Sequence, residues 1–342
     1  MKKDLKNFTL EELGGYLAVN RYPGYHAQQV LSWVYQKKAE DFSCMSNIPA
    51  ALRKKLQDDF YLSKLNLIKR LVSRDGTRKY LFELEDKNTI ESVLIPHKGR
   101  NTVCLSTQVG CKYCCRFCAS GAFGFARDLS QAEILNQILG IGKDIKNKIN
   151  NIVFMGMGEP LDNYDALLRA IRIINAKYAF YIGQRKITIS TAGLVEGIKK
   201  LAREGLQIEL SISLHSAVDA KRDTIIPLNM KYSLNKLLPS VREFAKLTKR
   251  KVTFEYILLG GFNTAVRDAQ ALLELIRGLD CKINLIPFND VAGAGFLPPA
   301  KLEVLFFRDY LLKYNIDVTI RQPRGQDIEA ACGQLRMRHL NQ

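Results

Sequence analysis

Residues 109–125 read VGCKYCCRFCASGAFGF and bring Cys111, Cys114, Cys115 and Cys118 into one short loop. Two ligand sets are open. As C-x2-C followed at once by C-x2-C, the loop offers four thiolates to zinc. Adjacent Cys114 and Cys115 would then have to converge on one ion without the intervening loop that separates the halves of a zinc ribbon, which is strained. As C-x3-C-x2-C, Cys111, Cys115 and Cys118 hold three irons of a 4Fe-4S cubane and leave the fourth open, with Cys114 a bystander. An open iron can coordinate a substrate instead of only passing electrons.

The chain around this loop alternates between short apolar strands and amphipathic helices. Strands are expected at TVCLST, NIVFMG, KITIST, IELSISLH, VTFEYILL and KINLIPF, with helices near 130–143, 163–177, 194–204, 234–248, 265–278 and 299–314. Six such units specify a parallel sheet covered by helices, either doubly wound or a barrel. The unusual residues fall at the C-terminal ends of these strands, where parallel α/β folds place their active sites. They are the cysteine loop, Gly158 and Glu159 in GMGEP, Ser190, Ser213 to His215, and Asn289. Upstream, 1–62 reads as a helical accessory region in which Thr9-x-x-Glu12 is a capping box. Residues 63–98 read as a three-stranded meander with turns at Asp75-Gly76 and Glu85-Asp86-Lys87, 99–335 as the α/β core and 336–342 as a tail.

Composition narrows the partner. Lys and Arg outnumber Asp and Glu by 51 to 34, a net charge of +17 spread through the chain. A folded basic surface of this kind attracts polyanions in a salt-dependent way. No stretch approaches the ~20 apolar residues that span a bilayer, no signal-peptide pattern opens the chain, and no basic amphipathic helix suits a membrane surface. A cytoplasmic protein without a membrane partner is expected. No long apolar seam asks for a second copy, so a monomer is expected. In a reducing compartment, eight cysteines point to metal or catalytic use.

C-x3-C-x2-C after the first strand of a parallel α/β array resembles the radical S-adenosylmethionine superfamily. MGMGEPL at 155–161, KITISTAGLV at 186–195, SISLH at 211–215, CKINLIPFN at 281–289 and RGQDIEAACGQL at 324–335 look like the dual-specificity ribosomal and transfer RNA adenine-C2 methyltransferase family. That resemblance implies a partial (β/α)6 TIM-like barrel and a 4Fe-4S cluster on Cys111, Cys115 and Cys118. It also implies contacts to S-adenosylmethionine from Gly158, Glu159, Ser190, Ser213, Leu214, His215 and Asn289. The implied partners are 23S ribosomal RNA at the peptidyl-transferase centre, transfer RNA beside the anticodon, and a flavodoxin- or ferredoxin-type electron donor.

The implied chemistry answers a problem of reactivity. Carbon 2 of adenine is electron-poor and cannot attack a methyl sulfonium. Cys332 therefore takes a methyl from one S-adenosylmethionine by displacement. A second, cleaved at the cluster, gives the 5′-deoxyadenosyl radical that removes a hydrogen from the S-methyl group. The resulting carbon adds to the base, Glu91 takes the proton from carbon 2, and Cys104 attacks the Cys332 sulfur to release the product as a disulfide forms. Alternation puts Glu91 on the face of Val93 and Ile95, where an apolar setting would raise its pKa. Two features depart from the family pattern: the extra thiol of Cys114, and NDVAGAGF after Phe288, which lacks the expected prolines. The rival readings are the related adenine-C8 methyltransferase of antibiotic resistance and a zinc-stabilised RNA-binding protein.

Overall fold

The structure is a computed structural model and describes residues 2–122, 124–145, 147–288, 295–321 and 324–328. Ten strands form its main sheet. The meander contributes β1 (Asn66–Val72), β2 (Arg78–Glu83) and β3 (Thr89–His97). The α/β part contributes β4 (Arg100–Cys104), β5 (Asn151–Phe154), β6 (Ile187–Thr191), β7 (Glu209–Ser213), β8 (Val252–Leu258), β9 (Cys281–Pro287) and β10 (Asp317–Ile320). Their order in space is their order in sequence, with antiparallel pairing from β1 to β4 and parallel pairing from β4 onward.

An order without a reversal point means that every right-handed crossover lays its helix on the same face. This is the winding of a partial barrel and not of a doubly wound sheet. The covered face shows it in its residues: Val103, Ile152, Phe154, Ile187, Ile189, Leu210, Ile212, Val252, Phe254, Ile283 and Leu285 are all fully buried. The opposite face is polar, and strand register aligns it in rows: Ser190 beside Ser211, Ser213 beside Glu255, and Glu255 beside Asn284. Seven parallel strands stand where the periodicity predicts six. The additional one, β10, is four residues long and half exposed.

The meander is not a separate sheet but continues the same one. Lys98 and Gly99, both at positive φ (43° and 76°), make a two-residue turn that pairs His97 with Arg100 and Val93 with Cys104. Such a turn matches the strand twist and fixes the register. The expected helices are present, together with Asp219–Ile225, which the periodicity did not mark. In the N-terminal region the Thr9–Glu12 capping box opens Leu10–Val19, and Ala50–Asp59 adds a further helix. Arg169 donates to both Glu12 carboxylate oxygens, at 2.8 and 2.6 Å, and so docks this region on the core. No helix among the described residues is long and apolar enough to cross a membrane.

Candidate active site

The cysteine loop is built as a closed unit on a two-stranded ribbon, Gln108–Gly110 against Phe125–Asp128. Gly110 and Gly124 sit at φ +77° and +70°, conformations that glycine adopts without strain. The loop docks on the segment following β7. Arg116 N–H donates to Ile225 O at 3.1 Å, and the Phe117 ring meets His215 edge-on at 4.5 Å. Tyr113, Cys115 and Phe117 pack on an apolar cluster that includes Val195, Ile225, Leu228 and Phe288.

Cys111, Cys115 and Cys118 are half-buried, whereas Cys114 is exposed at φ +45°. Burial raises the Cys111 thiol to about 12, and the backbone N–H of Tyr113 opposes it. Burial also raises Cys115 strongly, with Cys118, Cys111 and Glu159 adding to the rise and Arg222 opposing it. The three sulfurs therefore share one electrostatic neighbourhood. Among the described residues, no three His, Cys, Asp or Glu converge closely enough to hold a single metal ion. The ligands of a cubane bind different irons and need not converge. Ser120, two residues beyond Cys118, keeps a buried hydroxyl that has no hydrogen-bond partner among the described residues. Two thiols that burial holds away from their charged form, with the half-buried Cys118 beside them, fit a group that brings positive charge to them.

Gly158 sits at φ +97°, and a Cβ there would lie 2.5 Å from Gln108 Cβ. Glu159 is completely enclosed. Its carboxylate accepts from Leu161 N–H at 3.1 Å and Ala192 N–H at 2.8 Å, tying the end of β5 to the end of β6. Burial outweighs these hydrogen bonds and raises it to about 7. Ser190 and Ser213 are half-buried on the polar face. Leu214 is buried and donates its N–H to Glu255 O. His215 is buried at φ +58°, and its Nδ1 accepts from Ile257 N–H at 3.0 Å. Burial, helped by Arg222, lowers it to about 3. The imidazole is thus neutral and fixed as the Nε2–H tautomer. Asn289 and Cys332 lie outside the described residues.

Glu91, Val93 and Cys104 share one face of the β3–β4 pair, and Lys79 of β2 lies opposite Val93 on that face. Glu91 is neither a solvent carboxylate nor an acid in purely apolar surroundings. It is 3% exposed, with Oε2 3.7 Å from the Nζ of fully buried Lys79. Cys104 is buried on the same face.

Sequence reasoning missed three of the residues that organise this site. Lys79 is one. Arg222 is the second: fully buried, it donates Nε to Leu214 O at 3.0 Å and Nη2 to Ala192 O at 2.6 Å and Ser213 O at 3.1 Å, holding two strand ends together. Its Nη1 donates to Asn229 at 2.5 Å. Glu255 is the third; burial raises its pKa, while Asn284 donates to it at 2.6 Å. Strict alternation in VTFEYIL was the signal that would have placed Glu255 on the polar face.

Comparison with known proteins agrees with this geometry. Residues 105–275 match the radical SAM superfamily, and 3–62 match the ribosomal RNA large subunit methyltransferase N-terminal domain. The chain is 45% identical over 337 residues to a probable dual-specificity RNA methyltransferase RlmN of Thermotoga neapolitana, with 98% of each chain covered. It is 45% identical over 335 residues to the dual-specificity RNA methyltransferase RlmN of Pelobacter propionicus, covering 98% of this chain and 96% of that one. A crystal structure of a radical SAM methyltransferase from Sphaerobacter thermophilus superposes with a TM-score of 0.91 at 40% identity, covering 97% of this chain and 98% of the other.

Proposed function

The chain belongs to the dual-specificity RNA methyltransferase RlmN family of the radical SAM superfamily, and from that premise we propose that it forms 2-methyladenosine in 23S ribosomal RNA and in transfer RNA. Two S-adenosylmethionines serve each turnover, with Cys332 as methyl carrier. The observation that carries the proposal is the shared buried face of Glu91 and Cys104, in a sheet whose α/β half presents the cysteine loop.

Cys111, Cys115 and Cys118 would hold the 4Fe-4S cluster, and Cys114, facing solvent, would not. When bound, the cluster supplies the electron that cleaves one S-adenosylmethionine, while the other donates its methyl group. The ends of β5, β6, β7 and β9 would bind the methionine and ribose parts, through the backbone at Gly158 and Glu159, the Ser190 and Ser213 hydroxyls, Leu214, His215 and Asn289. A neutral His215 adds no positive charge beside a cationic sulfonium, which favours binding. The Cys332 thiolate displaces the methyl group, forming an S–C bond as S-adenosylhomocysteine leaves. After that methyl loses a hydrogen atom and its carbon bonds to adenine C2, Glu91 accepts the C2 proton. Lys79 Nζ lies 3.7 Å from the carboxylate that would take this proton. Cys104 then attacks the Cys332 sulfur, which frees the base and leaves a disulfide for external reduction, and the adduct's unpaired electron would pass back to the cluster that gave one at the start.

The same reading proposes residues 1–62, 63–98 and 99–335 as accessory, meander and catalytic units, acting as a monomer supplied by a flavodoxin- or ferredoxin-type donor in the cytoplasm. Mass spectrometry of adenosines from RNA incubated with anaerobically reconstituted protein, S-adenosylmethionine and reductant tests it. Wild type should make 2-methyladenosine and Cys332→Ala none. Formation of 8-methyladenosine would move the chain to C8 chemistry, and cofactor cleavage without any methylation would overturn the proposal.

A further inference from the structure

A cavity of about 290 Å³ lies where the N-terminal helical region, the meander and the α/β part meet. One wall is a single face of the helix Gln131–Asp144, which presents Asn136, Leu139, Gly140, Lys143 and Asp144 at the spacing of one helical stripe. Val34 and Leu62 of the helical region and Leu65, Leu67 and Phe82 of the meander make the rest of the lining largely apolar. Four lysines, Lys6, Lys38, Lys64 and Lys143, and two acids, Glu40 and Asp144, complete it. Both acids are already committed. Lys64 donates to one oxygen of Glu40 at 2.6 Å and Lys143 to the other, while Arg70 and Arg78 both pair with Asp144. None of the residues proposed above for catalysis or cofactor binding lines this cavity.

Lys6 is the unusual group. It is 4% exposed, and its Nζ donates to Ser63 O and to Asn136 Oδ1, both at 2.7 Å. An ammonium carries three N–H donors, so one is left over among the described residues. Asp4 is close enough to be felt, but its carboxylate accepts from Lys6 N–H at 3.1 Å and from the Ser63 hydroxyl instead of from Nζ. Burial lowers Lys6 to about 8, with Asp4 opposing and Lys143 and Lys64 adding to the fall. Exposed Lys38 donates to Gly142 O at 2.5 Å and has no carboxylate against it among the described residues. The cavity therefore holds two ammonium groups without a counter-charge in contact, and both of its acids are spent on other cations. We propose that it is a binding site for a small monocarboxylate with an apolar tail, whose head takes the remaining N–H of Lys6 and whose tail lies on Leu65, Leu67, Phe82 and Leu139. A buried cation short of a partner is stabilised by such a head group, and Lys38 adds attraction from the rim. Glu40 between Lys64 and Lys143 shows that lysines lining this cavity already accept a carboxylate. A phosphate would bring more charge and more oxygens to walls that are mostly aliphatic. The volume lies just under the roughly 300–1,000 Å³ of small-molecule sites, which calls for a short tail.

The test titrates full-length, anaerobically reconstituted protein with octanoate by calorimetry, with octan-1-ol and acetate as probes that keep the tail or the head alone. Octanoate should saturate a single site, and octanol and acetate should each bind about tenfold more weakly or worse. Lys6→Met removes the ammonium and keeps an unbranched stem; it should weaken octanoate about tenfold and leave octanol unmoved. Because that variant leaves Ser63 O and Asn136 Oδ1 without their donor, Lys38→Gln repeats the reading at an exposed position and should weaken octanoate about threefold, again with octanol unmoved. Leu67→Glu, also at an exposed position, sets a charge against the tail and should weaken both probes. Octanol binding as tightly as octanoate would show an apolar hole without an anion site and overturns the proposal. Octanoate bound at many sites, or equally well by wild type and all three variants, is adventitious attraction to a basic surface and overturns it too, as does the absence of saturable binding.

Discussion

Glu159 and His215 are both enclosed and both held neutral, one by a raised and the other by a lowered pKa, and this opposition predicts an unusual response to acid. Glu159 goes from an ordinary 4.5 to about 7 in the fold. Between those values the native state binds the extra proton, so its contribution to stability is complete below 4.5 and is lost as pH rises through about 7. His215 goes from 6.5 to about 3. In that window the unfolded chain binds the extra proton, so its contribution is complete above 6.5 and is lost as pH falls through about 3. Each slope is about 1.4 kcal/mol per pH unit. Over the two units from 4.5 to 6.5 they cancel, and each alone would change stability by about 2.7 kcal/mol, a large share of the roughly 5–15 kcal/mol typical of a folded domain. His215→Asn isolates the glutamate: asparagine tolerates the positive φ and can offer Oδ1 to Ile257 N–H as the imidazole did. Urea unfolding under anaerobic conditions at several pH values across this window should show this variant gaining stability on acidification. Glu159→Gln, with His215 alone titrating, should lose it. A His215→Asn protein whose pH slope matches the wild type would refute the neutral imidazole.

The buried Lys79–Glu91 pair should be strongly coupled: Lys79→Met removes the positive charge beside a buried carboxylate and should cost about 3–5 kcal/mol, with most of it recovered in Lys79→Met/Glu91→Met. Additive losses in denaturant unfolding would show that the two charges do not depend on each other. Replacing Cys111, Cys115 or Cys118 by alanine should abolish the brown iron-sulfur absorbance and most of the bound iron, whereas Cys114→Ala should keep both. Iron loss in Cys114→Ala equal to the others would contradict the three-thiolate assignment. Gly158→Ala meets both a disfavoured φ and Gln108, so its melting temperature should fall by several degrees, about 1–3 kcal/mol from the backbone alone. An unchanged melting curve would mean that the turn yields without cost.

Local chemistry was legible in the sequence because its information is local. Cysteine spacing in residues 111–118, the Thr9–Glu12 box and the strand-helix periodicity each depend on neighbours a few positions apart. What escaped depends on pairing across the fold. Lys79 in RKYLFE reads as a solvated lysine, since lysines are seldom buried without a partner, and its partner comes from the next strand. Arg222 sits in DAKRDTI, a charged heptapeptide that reads as an exposed turn, yet its side chain enters the core to hold three carbonyls. The periodicity stopped at six strands because DVTI is short and half exposed at a sheet edge, where alternation carries little contrast. The sequence places His215 at a strand end but carries no sign of its tautomer. Its Nδ1 is committed to Ile257, which settles the tautomer and leaves the other nitrogen as the donor.

The Lys98–Gly99 turn acts as a ruler. It decides which side chains of two opposed strands look the same way, and so whether Glu91 and Cys104 belong to one chamber or two. Side chains alternate with a period of two, so a single extra residue in the turn would exchange the faces of one strand against the other. Both strands could stay paired and the cysteine loop would be untouched, yet the Glu91 carboxylate and the Cys104 thiol would face opposite sides of the sheet. For the reaction proposed above, the arithmetic of a two-residue turn matters as much as the identity of either side chain does.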